Sequence, residues 1–121
     1  NPFFLMIEGS QIDWAGHANN STYLMTEMMD FEKSIRLALD YAKKDGNTIV
    51  IVTADHETGG FALAANDTLG YNHIVGKFAT KSHTASLVPV LSFGPNTENL
   101  NGIINNTDLF KFIIRMSILK D

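Results

Sequence analysis

The stretch that decides the predicted fold is Ile49-Val-Ile-Val52, which runs directly into the polar segment Thr53-Ala-Asp-His-Glu-Thr-Gly-Gly60. Four consecutive β-branched residues are typical of a strand that is covered on both faces. The same pattern occurs earlier, where the apolar residues 3–7 precede Glu8-Gly-Ser-Gln-Ile-Asp-Trp-Ala-Gly-His17. We therefore predict two buried strands, each ending in a cluster of polar side chains.

A helix connects the two predicted strands. Apolar side chains recur there at intervals of three or four residues and form one stripe, at Leu24, Met28, Phe31, Ile35, Leu39 and Ala42. Asn20, Ser21 or Thr22 can cap the start of this helix, and Gly46 suits its end. Strand, helix and strand at this spacing predict a βαβ unit whose two strands run parallel.

The middle of the chain gives weaker signals. Residues 57–82 are rich in Gly, Asn, Thr and Ala, so we predict loops there with one short strand at residues 61–63. Residues 87–92 predict a third strand, which Pro89 makes irregular. We expect this strand to run antiparallel to the first two.

A last helix completes the predicted fold. Asn106 or Thr107 caps it, and its apolar side consists of Leu109, Phe110, Ile113, Ile114 and Ile118. The predicted fold class is α/β. We expect a partial sheet, mostly parallel with one antiparallel strand, with helices packed on it, in a single unit over residues 1–121.

Composition and charge argue against several classes of protein. The chain has 121 residues, of which 45% are hydrophobic and 18% charged, and this is typical of an ordinary globular sequence. The net charge of −4 argues against a nucleic-acid or anionic-membrane surface, and no apolar run approaches the roughly 20 residues that span a bilayer. Without cysteine, any metal must be held by histidines and carboxylates. The chain opens on Asn-Pro-Phe-Phe, so we expect a piece of a longer protein, with any export signal in the missing part.

The polar clusters that follow the two strands offer metal ligands. Asp13 and His17 stand four residues apart, so a helical turn would direct both toward one ion. Asp55 and His56 are adjacent and can share an ion only if the backbone turns there, which the following Gly59-Gly60 allows. Capping or turn contacts are the alternative for each pair. Because carboxylates gathered at one sheet edge repel each other without cations, the two clusters together favour a metal site.

The spacing leaves five other residues open. Glu8 is either a further ligand or a surface carboxylate, and Glu57 is either a base beside the site or simply exposed. His73 and His83 fit solvated loop positions, and Trp14 fits packing.

Several motifs resemble the C-terminal half of the alkaline phosphatases. The main ones are Ile7-Glu-Gly-Ser-Gln-Ile-Asp-Trp-Ala-Gly-His17 and Val52-Thr-Ala-Asp-His56. Ser82-His-Thr-Ala85, Gly94-Pro95 and Thr107-Asp-Leu-Phe110 follow in the family's order. The chain therefore resembles the C-terminal portion of an alkaline phosphatase catalytic domain over nearly its whole length.

The resemblance implies a centre with two zinc ions and one magnesium ion. The implied ligands are Asp13, His17 and His83 for one zinc, Asp55 and His56 for the second, and Glu8 for the magnesium. Trp14 stands where some members have Lys or His, so it would line the substrate pocket and affect the third ion. His73 matches no ligand of the family.

The implied reaction is hydrolysis of phosphate monoesters through a phosphoserine intermediate. In the family, the serine nucleophile and the phosphate-clamping arginine belong to the N-terminal half. These 121 residues are therefore expected to contain no catalytic nucleophile and to be inactive alone. The resemblance implies phosphate monoesters as substrates, no specific nucleic-acid or membrane partner, and a periplasmic or extracellular location. It is also compatible with a homodimer.

Two alternatives stay open. Other members of the superfamily, such as phosphodiesterases and sulfatases, share a two-metal site, and a non-catalytic metal-binding module would keep the ligands for structure alone. The spacing from Glu8 to His17 and the run Thr53-Ala-Asp-His56 favour the phosphatase. An Asp-Ser-Ala segment upstream would support it further.

Overall fold

A computed structural model describes residues 3–118, which form three α-helices and six short strands. The elements are α1 (Gln11–His17), α2 (Ser21–Asp45), β1 (Val50–Val52), β2 (Glu57–Thr58), β3 (Ala62–Asn66), β4 (Gly70–Lys77), β5 (His83–Thr84), β6 (Leu91–Phe93) and α3 (Asn106–Ile118), with a 3-10 turn at Thr97–Asn99 before α3. The strands pair as β1–β6, β2–β5 and β3–β4, and all three pairs are antiparallel.

The long helix α2 confirms the prediction for residues 20–46. The Asn20 side chain accepts a hydrogen bond from the backbone N–H of Tyr23 at 3.0 Å and so caps the first turn. Gly46 ends the helix in the left-handed conformation, at φ 74°, and its N–H donates to the Ala42 carbonyl. All of the predicted apolar stripe except Met28 is at least half-buried, and α2 packs against α1 and β1.

The β1–β6 pair confirms the predicted antiparallel strand. Val50 pairs with Phe93 and Val52 pairs with Leu91. The strand begins at Leu91, four residues later than predicted. Pro89 has no N–H to donate to a ladder, which explains why the pairing starts after it.

The predicted short strand at residues 61–63 forms as β3 over Ala62–Asn66. The prediction of loops for the rest of residues 57–82 was wrong, because β3 pairs with β4 in an antiparallel hairpin. Its turn is stabilised by the Asn66 side chain, which accepts hydrogen bonds from the backbone N–H groups of Thr68 and Leu69. The alanines of β3 have low strand propensity, and this masks the pairing in the sequence.

The predicted strand at residues 3–7 does not form within the described part of the chain. These residues have no regular secondary structure, and their side chains are exposed. A strand needs ladder hydrogen bonds to a neighbour, and none of the described residues pairs with this segment. The predicted parallel pairing is therefore not observed, and the pairs that do form are antiparallel.

The buried core of the described residues is small. Ala15 and Ala42 are its only fully buried apolar side chains within residues 3–117. The accessible surface is 9251 Å², whereas a compact monomer of 13.4 kDa exposes roughly 6,500 Å². The predicted last helix forms as α3, but it includes Asn106 as its first residue, so it begins one or two residues before the start that an Asn106 or Thr107 cap implies. Phe110 is exposed, and the Ile118 side chain lies outside the described ones. Between residues 3 and 118, no helix is both long and apolar enough to cross a membrane.

Candidate metal centre

Three separate elements bring histidine and aspartate side chains together. Helix α1 carries Asp13 and His17, His56 directly precedes β2, and His83 opens β5. The β2–β5 ladder pairs Thr58 with His83, so it holds the segment of His56 beside that of His83. Helix α1 approaches β2 closely at Gly16, where an added Cβ would lie 2.9 Å from the Thr58 carbonyl oxygen.

The potential ligand atoms of this cluster lie within a few ångströms of one another. One donor atom each from Asp13, His56 and His83 lies within 4.8 Å of the other two. The Nε2 atom of His17 lies 3.2 Å from Nε2 of His83 and 3.4 Å from the Asp13 carboxylate. The rings of His56 and His83 stack with their centroids 3.5 Å apart. Two imidazole nitrogens at 3.2 Å repel each other unless a proton or a cation lies between them, so this contact fits either a hydrogen bond between the two rings or a bound cation.

The Thr58 hydroxyl connects two of these side chains. It donates a hydrogen bond to Oδ1 of Asp13 and lies 3.3 Å from Nδ1 of His56. Because the hydroxyl hydrogen goes to the carboxylate, the hydroxyl oxygen can accept from the Nδ1–H of His56. His56 would then present its Nε2 lone pair, which is the form that binds metal.

A backbone carbonyl orients His17 in the same way. Nδ1 of His17 lies 2.6 Å from the carbonyl oxygen of Lys81, which can only accept a hydrogen bond. Nδ1 must therefore carry the proton, and in the neutral ring Nε2 keeps a lone pair directed at Asp13 and His83. Histidines that bind metal through one ring nitrogen typically donate such a hydrogen bond, here called an outer hydrogen bond, from the other ring nitrogen.

Asp55 joins the cluster through a bend in the backbone. The chain bends at Asp55, and the Asp55 carboxylate lies 3.3 Å from Nε2 of His56. The two adjacent side chains thus meet, as the prediction required. The Asp55 side chain is 87% exposed, so it lies at the open side of the cluster.

Glu8, Trp14 and His73 are not drawn into the cluster. Glu8 is exposed and has no hydrogen bond or ion pair to another described residue. Trp14 lies on α1 beside Asp13 and is 60% exposed, so its ring is not buried among the described residues. His73 is exposed on β4, in the hairpin.

Glu57 has a different environment from the neighbouring His56. Its carboxylate accepts hydrogen bonds from the Thr84 hydroxyl and from the backbone N–H groups of Gly60 and Phe61, at 3.1 and 3.0 Å. The Thr84 hydroxyl is the largest cause that holds the pKa of Glu57 below its usual range, and the two N–H groups and His56 add to it. Glu57 is therefore ionised at neutral pH, and its hydrogen bonds show that it is not simply an exposed surface carboxylate.

Sequence reasoning missed Thr58, the Lys81 carbonyl and the Glu57–Thr84 contact. Thr58 had a weak signal, because it stands two residues after His56 in extended chain and so projects to the same side. The other two contacts depend on the β2–β5 ladder, whose strands are 25 residues apart in the chain, and no local pattern predicts that pairing.

The donor set fits zinc. Imidazole nitrogen and carboxylate oxygen are its ordinary ligands in a protein without cysteine. The outer hydrogen bonds to His17, His56 and Asp13 hold these ligands in the form that binds metal.

Comparison with known proteins identifies the family. Residues 1–78 match the family described as Alkaline phosphatase. Alkaline phosphatase 4 of Bacillus subtilis (strain 168) is 31% identical over 180 aligned residues, which cover 94% of this chain and 39% of the relative. The alkaline phosphatase from the Antarctic bacterium TAB5 has 51% identity and a TM-score of 0.90, covering 94% of this chain and 34% of that one. A TAB5 variant with Mg bound in the M3 site has 50% identity and a TM-score of 0.88, covering 94% and 35%.

The chain thus spans between a third and two fifths of the length of these relatives. The family match extends over residues 1–78, which include the Asp13, His17, Asp55 and His56 positions of the cluster. This chain belongs to the alkaline phosphatase family.

Proposed function

We propose that the full-length protein hydrolyses phosphate monoesters and that the residues described above hold its metal ions. One observation carries the proposal: donor atoms from α1, from the segment before β2 and from β5 converge within a few ångströms. Clusters of this kind hold catalytic metals in many hydrolases. Because the chain spans little more than a third of the length of its relatives, the activity is proposed for the whole protein and not for this chain alone.

The proposed ligands are those that the resemblance implies. They are Asp13, His17 and His83 for one zinc, Asp55 and His56 for the second, and Glu8 for a magnesium ion. The contacts of Asp13 with His17 and His83, and of Asp55 with His56, support this grouping. The magnesium assignment is supported by the TAB5 variant that has Mg bound in its M3 site.

When bound, the zinc ions would supply positive charge that activates a serine hydroxyl and stabilises the leaving oxygen of the ester. The serine, and the phosphoserine intermediate that it forms, are proposed to come from the part of the protein outside these residues. The residues of this chain bind and orient. Thr58 holds the Asp13 carboxylate, and the Lys81 carbonyl keeps the proton of His17 on Nδ1.

The open side of the cluster would admit the ester. The His17 and His83 side chains are 42% and 49% exposed, so a dianionic phosphate has access to this side. Trp14 flanks Asp13 and is proposed to line the pocket there. A periplasmic or extracellular location and a homodimer belong to the same proposal and rest on the family resemblance alone.

The test uses the full-length protein with its metals removed and then restored. We expect zinc to restore hydrolysis of an aryl phosphate, and we expect much weaker turnover of an aryl sulfate or a phosphodiester. His83→Ala should lose at least about a hundredfold in activity and one tightly bound zinc, because it removes a ligand. His73→Ala is the matched control, since this exposed histidine lies outside the cluster, and it should behave like the parent. A His83→Ala variant with the parent's zinc content and activity would refute the proposal.

A further inference from the structure

The carboxylate of Glu57 connects the two strands that carry the histidines. It lies on β2 and accepts a hydrogen bond from the Thr84 hydroxyl on β5, and the N–H groups of Gly60 and Phe61 donate to the same carboxylate. The Thr84 hydroxyl accepts in turn from the N–H of Ser86 at 3.4 Å. Glu57 therefore links the turn after β2 to β5.

This contact lies directly beside the cluster of proposed metal ligands. Glu57 follows His56 in the chain, and Thr84 follows His83. In the ladder, Glu57 pairs with Thr84, and the rings of His56 and His83 stack 3.5 Å apart next to that pair. A change in the Glu57–Thr84 distance would consequently move the two histidines relative to each other.

The ladder alone is too short to fix this spacing. Strands β2 and β5 contribute two residues each, and a two-stranded pair of ordinary length is already only marginally stable in water. Closing the 27-residue separation between Glu57 and Thr84 also has an entropic cost. A hydrogen bond to a charged group is among the stronger contacts available to offset that cost.

We propose that Glu57 is a positioning residue which acts through Thr84 to hold His83 against His56 and so sets the spacing of the two proposed zinc sites. The proposal rests on the proposed function, since both histidines are ligands there. Glu57 is not one of the proposed ligands: its carboxylate lies outside the group formed by Asp13, His56 and His83 and accepts hydrogen bonds from Thr84, Gly60 and Phe61.

The experiment measures zinc affinity of the full-length protein by competition with a chromophoric chelator. Thr84→Val removes the hydroxyl and keeps the side-chain shape, whereas Thr84→Ser keeps the hydroxyl. Glu57→Gln removes the charge of its partner. Asp108→Asn is the matched control, because Asp108 is also a hydrogen-bonded carboxylate, held by Lys111 at 2.8 Å on α3.

We expect Thr84→Val and Glu57→Gln each to weaken zinc binding about tenfold, as for residues that orient metal ligands. The double variant should lose little more than either single variant, since both remove the same contact. Thr84→Ser and Asp108→Asn should stay within about twofold of the parent. Cobalt in place of zinc should give an altered visible spectrum only in Thr84→Val and Glu57→Gln.

Zinc affinity within twofold of the parent in Thr84→Val would overturn the proposal, even if the Glu57 variant failed to fold. Equal losses in Thr84→Val and Thr84→Ser would also overturn it, because the hydroxyl would then be irrelevant. His83→Ala separates the two claims. If it binds zinc as the parent does, the proposed function fails; if it loses zinc while Thr84→Val does not, only the positioning role fails.

Discussion

Removal of the Thr58 hydroxyl should weaken zinc binding at the proposed metal centre. Thr58→Val replaces it with a methyl group of similar shape. The hydroxyl donates to the Asp13 carboxylate and lies 3.3 Å from Nδ1 of His56, so the variant removes a partner from two proposed ligands. Its methyl group, which lies against Gly16, is retained.

The size of the effect follows from the exposure of Asp13. A hydrogen bond to a charged group contributes about 1.5–3 kcal/mol when one partner is lost. The Asp13 side chain is 34% exposed, so water replaces part of the lost bond and the lower end of that range applies. About 1.5 kcal/mol corresponds to a roughly tenfold weaker affinity for zinc.

The assay is a zinc titration of the full-length protein against a chromophoric chelator, with thermal unfolding of the metal-free form measured alongside. Thr58→Ser is the matched variant, because it keeps the hydroxyl and loses the methyl. We expect Thr58→Ser to bind zinc within about threefold of the parent, and Thr58→Val to bind it about tenfold more weakly. If Thr58→Ser is the weaker variant, the methyl packing against Gly16 matters and the hydrogen-bond argument is wrong.

Three further variants test other parts of the structure. Gly16→Ala should destabilise the protein by about 1–3 kcal/mol and weaken zinc binding, because the added Cβ would lie 2.9 Å from a backbone oxygen. Gly46→Ala is the control: it is strained in φ but lies in open space, so zinc affinity should stay unchanged. Equal zinc affinities in the two variants would contradict this prediction. Trp14→Lys should change the magnesium dependence of activity. Because the ring is exposed, the variant should change the free energy of unfolding by no more than about 1–2 kcal/mol in thermal unfolding. A large loss of stability would mean that the ring packs against other residues. Glu57 has a folded pKa below its ordinary value of 4.5, so its stabilising contribution is present above pH 4.5 and is lost as pH falls through the folded pKa. Denaturant unfolding should therefore find the stability difference between Glu57→Gln and the parent steady near neutral pH and smaller in acid, and a constant difference at all pH values would refute this.

The parts of the fold that local patterns determine could be predicted from the sequence. The apolar stripe, the Asn20 cap and Gly46 each act within a few residues, and α2 forms where they indicate. The strand Val50–Val52 was also predictable from its apolar run, whereas the antiparallel direction of its partner followed from the ligand role that the family resemblance gives to His83.

The parts that depend on distant pairing could not be predicted. The β3–β4 hairpin contains alanines and glycines whose local preferences favour loops, and tertiary pairing overrides those preferences. The same holds in the site. Asp13 and His17 could be chosen by their spacing, whereas His83 was identified by family resemblance and Thr84 emerged only from the ladder.

The strand predicted at residues 3–7 does not form, although the residues have the composition that such a strand needs. Its five side chains are large and apolar and are 51–80% exposed, so they carry the composition of a buried strand without the cover that such a strand needs. The chain exposes about 40% more surface than a compact monomer of its mass, and its alignments cover only 34–39% of the length of its relatives. We therefore expect further protein surface to cover this face in the full-length molecule. The ligand cluster has the same character: Asp13 and His56 are half-buried, while Asp55, His17 and His83 remain open to solvent. The chain thus contributes one side of the proposed site, with hydrogen bonds that orient Asp13, His17 and His56, and it leaves exposed the side on which we propose that the nucleophile lies.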